Sequence, residues 1–175
     1  SNVAVGAMAL DANTTADDNI AIGYAALGVN TTGASNTSIG SYSLDANTTA
    51  SNNTAVGKYT LSSNTTGASN TALGNESLAA NTTASNNTAV GYQALNDNTT
   101  GTRNTSVGTY SLDANTTAND NTAVGYNAAG AITTGVSNTA IGASALLTLT
   151  TGANNTALGH NALTLAQDTS ANTAV

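Results

Sequence analysis

An asparagine returns every 17 residues along the whole chain, at positions 2, 19, 36, 53, 70, 87, 104, 121, 138, 155 and 172, with no insertion or deletion between them. Numbered from that residue, the unit reads N-T-A-V-G-x-x-A-L-x-x-N-T-T-(A/G)-x-x. Ten full copies precede a partial eleventh, Asn172-Thr173-Ala174-Val175. A tract that merely needed to be polar could drift in phase. A stack of equivalent turns cannot, because one extra residue would offset every ladder beyond it. The array therefore spans residues 1–175 as a single unit.

The repeat is a strand-and-turn unit, not a helical one. Column 5 is Gly in every full copy: Gly6, Gly23, Gly40, Gly57, Gly74, Gly91, Gly108, Gly125, Gly142 and Gly159. Such a glycine lets the chain leave a strand sharply. The Thr-Ala-Val runs before it read as short strands bounded by turn residues. The expected fold is all-β: a parallel β-solenoid, or β-roll, of about ten 17-residue turns. At about 4.8 Å per turn, such a rod is on the order of 50 Å long. Asparagines in columns 1 and 12 are expected to bond to their counterparts one turn away.

Side chains alternate along a strand, so columns 2 and 4 share a face. Column 4 is always aliphatic (Val5, Ile22, Ile39, Val56, Leu73, Val90, Val107, Val124, Ile141, Leu158), and column 2 admits Val3 and Ile20 among its threonines. Both are expected to point into the core. Column 9 joins them with Leu10, Leu27, Leu44, Leu61, Leu78, Leu95, Leu112, Leu146 and Leu163. Column 12 is expected inside as well, since its Asn gives way to Ile132, Leu149 and Ala166 in the last copies. Column 3 would then face outward, yet it holds only Ala or Ser: Ala4, Ala21, Ser38, Ala55, Ala72, Ala89, Ser106, Ala123, Ala140 and Ala157. Column 8 is similarly small. Small outward columns imply a second backbone packed close, so column 3 is expected to form a chain–chain interface. Two large aliphatics per turn are also a thin core for 17 ordered residues, which again favours a homo-oligomer, with a trimer expected.

Composition closes off several functions. The chain has no Cys, two bases (Lys58 and Arg103) against nine acids, and a net charge of -7. It lacks disulfides and thiolate metal sites, and two cations cannot neutralise a nucleic-acid backbone. No apolar run reaches the roughly 20 residues of a membrane span, and the first residues lack the basic-then-apolar pattern of a secretory leader. Asp11, Asp45 and Asp113 share column 10 in copies 1, 3 and 7, too far apart to act together. His160 is the lone histidine, in column 6, and reads as a surface residue. No enzyme and no cofactor are expected.

Three surface features remain. All six tyrosines lie in columns 6 (Tyr24, Tyr92, Tyr126) and 7 (Tyr42, Tyr59, Tyr110), forming a band along one corner. They read as inter-turn or inter-chain packing, or as a ligand-contact stripe for carbohydrate or protein. Asn-Thr-Thr begins at 13, 30, 47, 64, 81, 98 and 115. Each is formally a glycosylation sequon, read here as a corner ladder. Column 13 carries Thr from Thr14 to Thr150 and would be an outward ladder of the kind seen on ice-binding solenoids.

The run N-T-A-V-G-x-x-A-L, with Asn87-Thr88-Ala89-Val90-Gly91-Tyr92-Gln93-Ala94-Leu95 as its fullest instance, resembles the head repeats of trimeric autotransporter adhesins of the YadA type. It is also similar to NTAVG-type arrays of phage tail fibres. The unit here is longer than that of the adhesin heads, with the extra residues around Asn-Thr-Thr. The resemblance implies a left-handed β-roll assembled as a homotrimer. It also implies a place at a cell surface, in the extracellular space or on a virion, and a host-surface carbohydrate or protein receptor. The expected function is a rigid structural segment of such a fibre, a spacer with an adhesion role. An end-to-end filament subunit and an ice-binding solenoid are the alternatives. The chain starts in column 17 and stops in column 4, which suits a fibre segment or a stacking subunit.

Overall fold

The computed structural model describes all 175 residues and contains strands and turns but no helix. The strands are β1 (Val3–Val5), β2 (Ile20–Ile22), β3 (Thr37–Ile39), β4 (Thr54–Val56), β5 (Thr71–Leu73), β6 (Thr88–Val90), β7 (Thr105–Val107), β8 (Thr122–Val124), β9 (Thr139–Ile141), β10 (Thr156–Leu158) and β11 (Thr173–Ala174). They form one sheet in sequence order. Each pairs in parallel with the next, as Thr54, Ala55 and Val56 do with Thr71, Ala72 and Leu73. Partners are one repeat apart, so a circuit of this solenoid uses 17 residues.

Column 5 ends each strand. Its glycines have φ between +125° and +139°, a region that side-chain-bearing residues avoid. Space forbids a side chain independently: a Cβ on Gly57 would lie 2.5 Å from the carbonyl oxygen of Gly74. Three further residues per turn, in columns 7, 9 and 17, take the left-handed conformation, as Tyr42 (φ 58°), Leu44 (50°) and Asn52 (63°) do. For non-glycine residues that costs about 1 kcal/mol or more each. Hydrogen bonds between turns hold them there. Of 108 backbone–backbone bonds, 88 fall outside the strands. The Leu44 N–H, for example, donates to Thr60 O at 3.1 Å. The ladder thus runs around the whole circuit, although only three residues per turn are strand.

The interior inverts the expected orientation of the strands. From β2 to β10 the middle residue is wholly buried, and its two neighbours are exposed or half-buried. The column-4 residues Val5, Ile22, Ile39, Val56, Leu73, Val90, Val107, Val124, Ile141 and Leu158 therefore point away from the core, and column 2 with them. Column 3 is inside: Ala21, Ser38, Ala55, Ala72, Ala89, Ser106, Ala123, Ala140 and Ala157 have no accessible surface. Only Ala4, on the open first turn, is exposed. These residues are not a chain–chain interface. The second backbone that keeps them small is the opposite wall of the same turn. Ser38 Oγ donates across the interior to Ser43 O at 2.7 Å, and Ser43 Oγ to Ala55 O at 3.2 Å. Ser106 and Ser111 repeat the arrangement.

The core is thus a narrow slot. It is filled by Leu27, Leu44, Leu61, Leu78, Leu95, Leu112 and Leu146 of column 9, the small residues of columns 3 and 8, and two columns of buried Asn. In column 1, Asn70 Nδ2 donates to Ala84 O at 2.8 Å, and Asn70 Oδ1 accepts the N–H of Asn87 at 2.9 Å. In column 12, Asn64 Nδ2 donates to Asn47 Oδ1 at 3.1 Å and to Gly67 O at 3.0 Å. Ile132 and Leu149 occupy the column-12 slot in later turns and are fully buried. The change leaves the last amide oxygen of the ladder, Asn115 Oδ1, buried without a donor.

Candidate functional site

With the large aliphatics turned outward, the sheet presents a two-file stripe to solvent. Column 2 supplies Val3, Ile20 and then threonines from Thr37 to Thr173, and column 4 supplies only Val, Ile and Leu. Val5 is 57 % exposed, Leu73 46 % and Ile141 39 %. The in-register pairing places each file in line at one residue per turn, about 4.8 Å apart. This stripe runs the length of the sheet, and its residues are those that strand alternation and aliphatic character place in the core. The readable signal was size variation: column 4 changes freely between Val, Ile and Leu, whereas column 3 never exceeds Ser. A tightly filled slot tolerates the second behaviour and not the first.

The tyrosines occupy the corner that follows. They form two triads, separated by the turn that carries Asn75 and Glu76. In the first, Tyr24 meets Tyr42 edge-on at 5.2 Å between ring centroids, and Tyr42 stacks on Tyr59 at 5.2 Å and 14°. In the second, Tyr92 and Tyr110 are 5.4 Å apart, and Tyr110 and Tyr126 are 6.3 Å apart. The outer rings Tyr24, Tyr59, Tyr92 and Tyr126 are exposed, and the middle ones are half-buried. Partial burial raises the phenols of Tyr42 and Tyr110 above the ordinary tyrosine value, and the flanking phenols add to the effect. Lys58 Nζ lies 4.7 Å from the centre of the Tyr59 ring, a cation–π contact. Between the triads, Gln93 Nε2 donates to Glu76 Oε2 at 2.5 Å.

The Thr ladders lie on the far side of the circuit. Column-13 hydroxyls donate to the chain itself: Thr31 Oγ1 to Thr48 O at 3.0 Å, and Thr65 Oγ1 to Thr82 O at 3.0 Å. These threonines are half-buried from Thr31 onward, and it is column 14, such as Thr66 and Thr100, that stands exposed.

The acids are dispersed. Asp120 pairs with Arg103 at 2.6 Å, which lowers its carboxyl below the usual range. Asp168 is held low by the hydroxyls of Thr150 and Thr151. Asp45 and Asp113 are half-buried, and desolvation raises both. No three His, Cys, Asp or Glu side chains come together, and the surface has no cavity. His160 is exposed. The surface presents an aliphatic file beside a threonine file, and an aromatic corner. Comparison with protein-family models, with curated proteins and with solved structures finds no match.

Proposed function

We propose that this chain is a rigid structural segment of an extracellular, cell-surface or virion fibre, working as a spacer with an adhesion role. The observation that carries the reading is the outward stripe of columns 2 and 4. Its column-4 file is aliphatic on every turn, beside a file that is threonine from Thr37 onward, and it supports side-by-side assembly of parallel copies. A partner that packs against it along its whole length needs the same rise per turn, and a second copy of this chain has that rise. Three left-handed solenoids packed in register through their stripes would bury the aliphatics that each narrow core leaves outside. The tyrosine corner would then remain available to a host-surface carbohydrate or protein receptor.

Sedimentation of the purified chain tests this directly. A trimer at micromolar concentration is expected. Val56→Lys with Val90→Lys should dissociate it, while Thr66→Lys with Thr100→Lys on the far side should not. A folded monomer at every concentration, or a trimer indifferent to the stripe variants, would overturn the reading. Electron microscopy adds the second axis. Short rods fit the spacer, and continuous filaments favour end-to-end stacking.

A further inference from the structure

The chain contains no Cys, no Trp and a single Met, so its readily oxidised side chains are Met8 and six tyrosines. All six tyrosines fall on one corner, and none is isolated: each ring has another tyrosine ring within 6.3 Å. Tyr42 and Tyr59 share column 7 on consecutive turns, so their Cα–Cβ bonds emerge side by side, and their rings lie 14° from parallel. Inter-turn hydrogen bonding fixes the backbone beneath them: the Tyr59 N–H donates to Ser41 O at 3.1 Å, and the Tyr42 N–H to Tyr24 O at 2.9 Å. Packing alone does not require this pairing.

We propose that the two tyrosine triads are oxidative cross-linking sites, in which Tyr42 and Tyr110 each couple to a flanking tyrosine to form dityrosine between successive turns. The co-reactant is a peroxide acting through a haem peroxidase. Each of two phenols gives up one electron and its proton. The two phenoxyl radicals then join through a carbon–carbon bond between ring positions ortho to the oxygens. The hydrogens on those carbons move to the oxygens as the rings regain aromaticity. The peroxide takes up the two electrons and two protons and leaves as two waters. The product lacks two hydrogens per link and covalently ties one turn to the next.

Position in the triad decides which variants matter. Tyr24 and Tyr59 lie two turns apart, about 10 Å along the rod, as do Tyr92 and Tyr126. Without the middle residue no ring has a neighbour, although four tyrosines remain. The two basic residues supply a second readout. Trypsin cuts after Lys58 and Arg103, giving residues 1–58, 59–103 and 104–175. A Tyr42–Tyr59 link joins the first two fragments, and a Tyr92–Tyr110 link joins the last two.

The experiment treats dilute full-length chain with horseradish peroxidase and hydrogen peroxide. Blue dityrosine emission is followed, and the product is denatured, digested with trypsin and run on a denaturing gel. A neighbouring ring is present at an effective concentration on the order of millimolar, against micromolar for another chain. Wild type and Tyr24→Phe/Tyr126→Phe should therefore cross-link within one chain at a rate independent of protein concentration, with tryptic fragments joined across Lys58. Tyr42→Phe/Tyr110→Phe should lose about tenfold or more of the emission and release all three fragments. Undiminished emission from the Tyr42→Phe/Tyr110→Phe chain would overturn the proposal. So would links found chiefly between chains, or wild type that gains no dityrosine emission. The wild-type digest needs no variant and so does not depend on how the variants fold.

Discussion

Asn70→Asp isolates what the buried amides do. Asn70 is wholly buried, accepts the Asn87 N–H at 2.9 Å through Oδ1 and donates to Ala84 O at 2.8 Å through Nδ2. An aspartate has nearly the same shape. Ionised, it keeps the Asn87 bond but sets a charged oxygen against the Ala84 carbonyl where a donor had been. Protonated, its O–H restores the donor. Burial can raise a carboxyl by up to about 3–5 units, and the Asn87 N–H offsets part of that by favouring the charged form. A net rise of about 2–4 units corresponds to roughly 3–5 kcal/mol, at 1.36 kcal/mol per unit. The sign follows from linkage. The folded carboxyl lies above its unfolded value of about 3.9, so the penalty is absent below about pH 4 and grows as pH rises to the folded value. For a chain of this size each kcal/mol shifts Tm by about 2–4 °C. Thermal unfolding followed by circular dichroism should therefore show the variant close to wild type at pH 3.5 and about 10 °C less stable at pH 8. Equal melting of variant and wild type at pH 8 would refute the buried-amide account of column 1. So would a deficit that stays the same at both pH values.

Two further outcomes follow from the placement of side chains. Ala89→Leu pushes bulk into the filled slot and should cost about 1–3 kcal/mol or more, while Val90→Thr on the outward file should leave the stability of an isolated chain within about 0.5 kcal/mol; denaturant midpoints compare them. Asp45→Asn with Asp113→Asn removes two carboxyls that desolvation raises, so the variant should melt higher than wild type at pH 7, and the gain should vanish below the unfolded carboxylate value, near pH 4.

The circuit length was legible because phase is arithmetic: eleven asparagines at one interval leave no other turn size. The inward place of column 9 and the column-12 ladder were legible too, since Leu recurs in column 9 and the Asn of column 12 gives way to Ile132 and Leu149. Strand polarity was not. The rule that aliphatics face the core presumes room for them. Here Ser43 stands across from Ser38, and Leu44 and the amides of Asn36 and Asn47 are already buried in the same turn. Both readings give an alternating three-residue strand, and only the width of the slot separates them. Pairing of the tyrosines could be read from their two adjacent columns, and their division into triads from the copy that carries Asn75 and Glu76 there, but not the ring geometry, which depends on how columns 6 and 7 meet across turns. The half-burial of Asp45 and Asp113 had no signature, because Asp11 shares their column and is exposed.

Both Asn ladders point the same way. In column 1 the later residue's N–H reaches the earlier residue's oxygen, as Asn87 does to Asn70. In column 12 the later amide nitrogen reaches the earlier oxygen, as Asn81 does to Asn64. Every completed turn thus displays acceptors toward the residues that follow it in the chain. A polypeptide emerging from the ribosome N-terminus first meets a growth face already prepared by the residues made before it. Each new circuit therefore finds its asparagine acceptors already made, together with donors such as the Asn70 Nδ2 that reaches Ala84 O further along the chain.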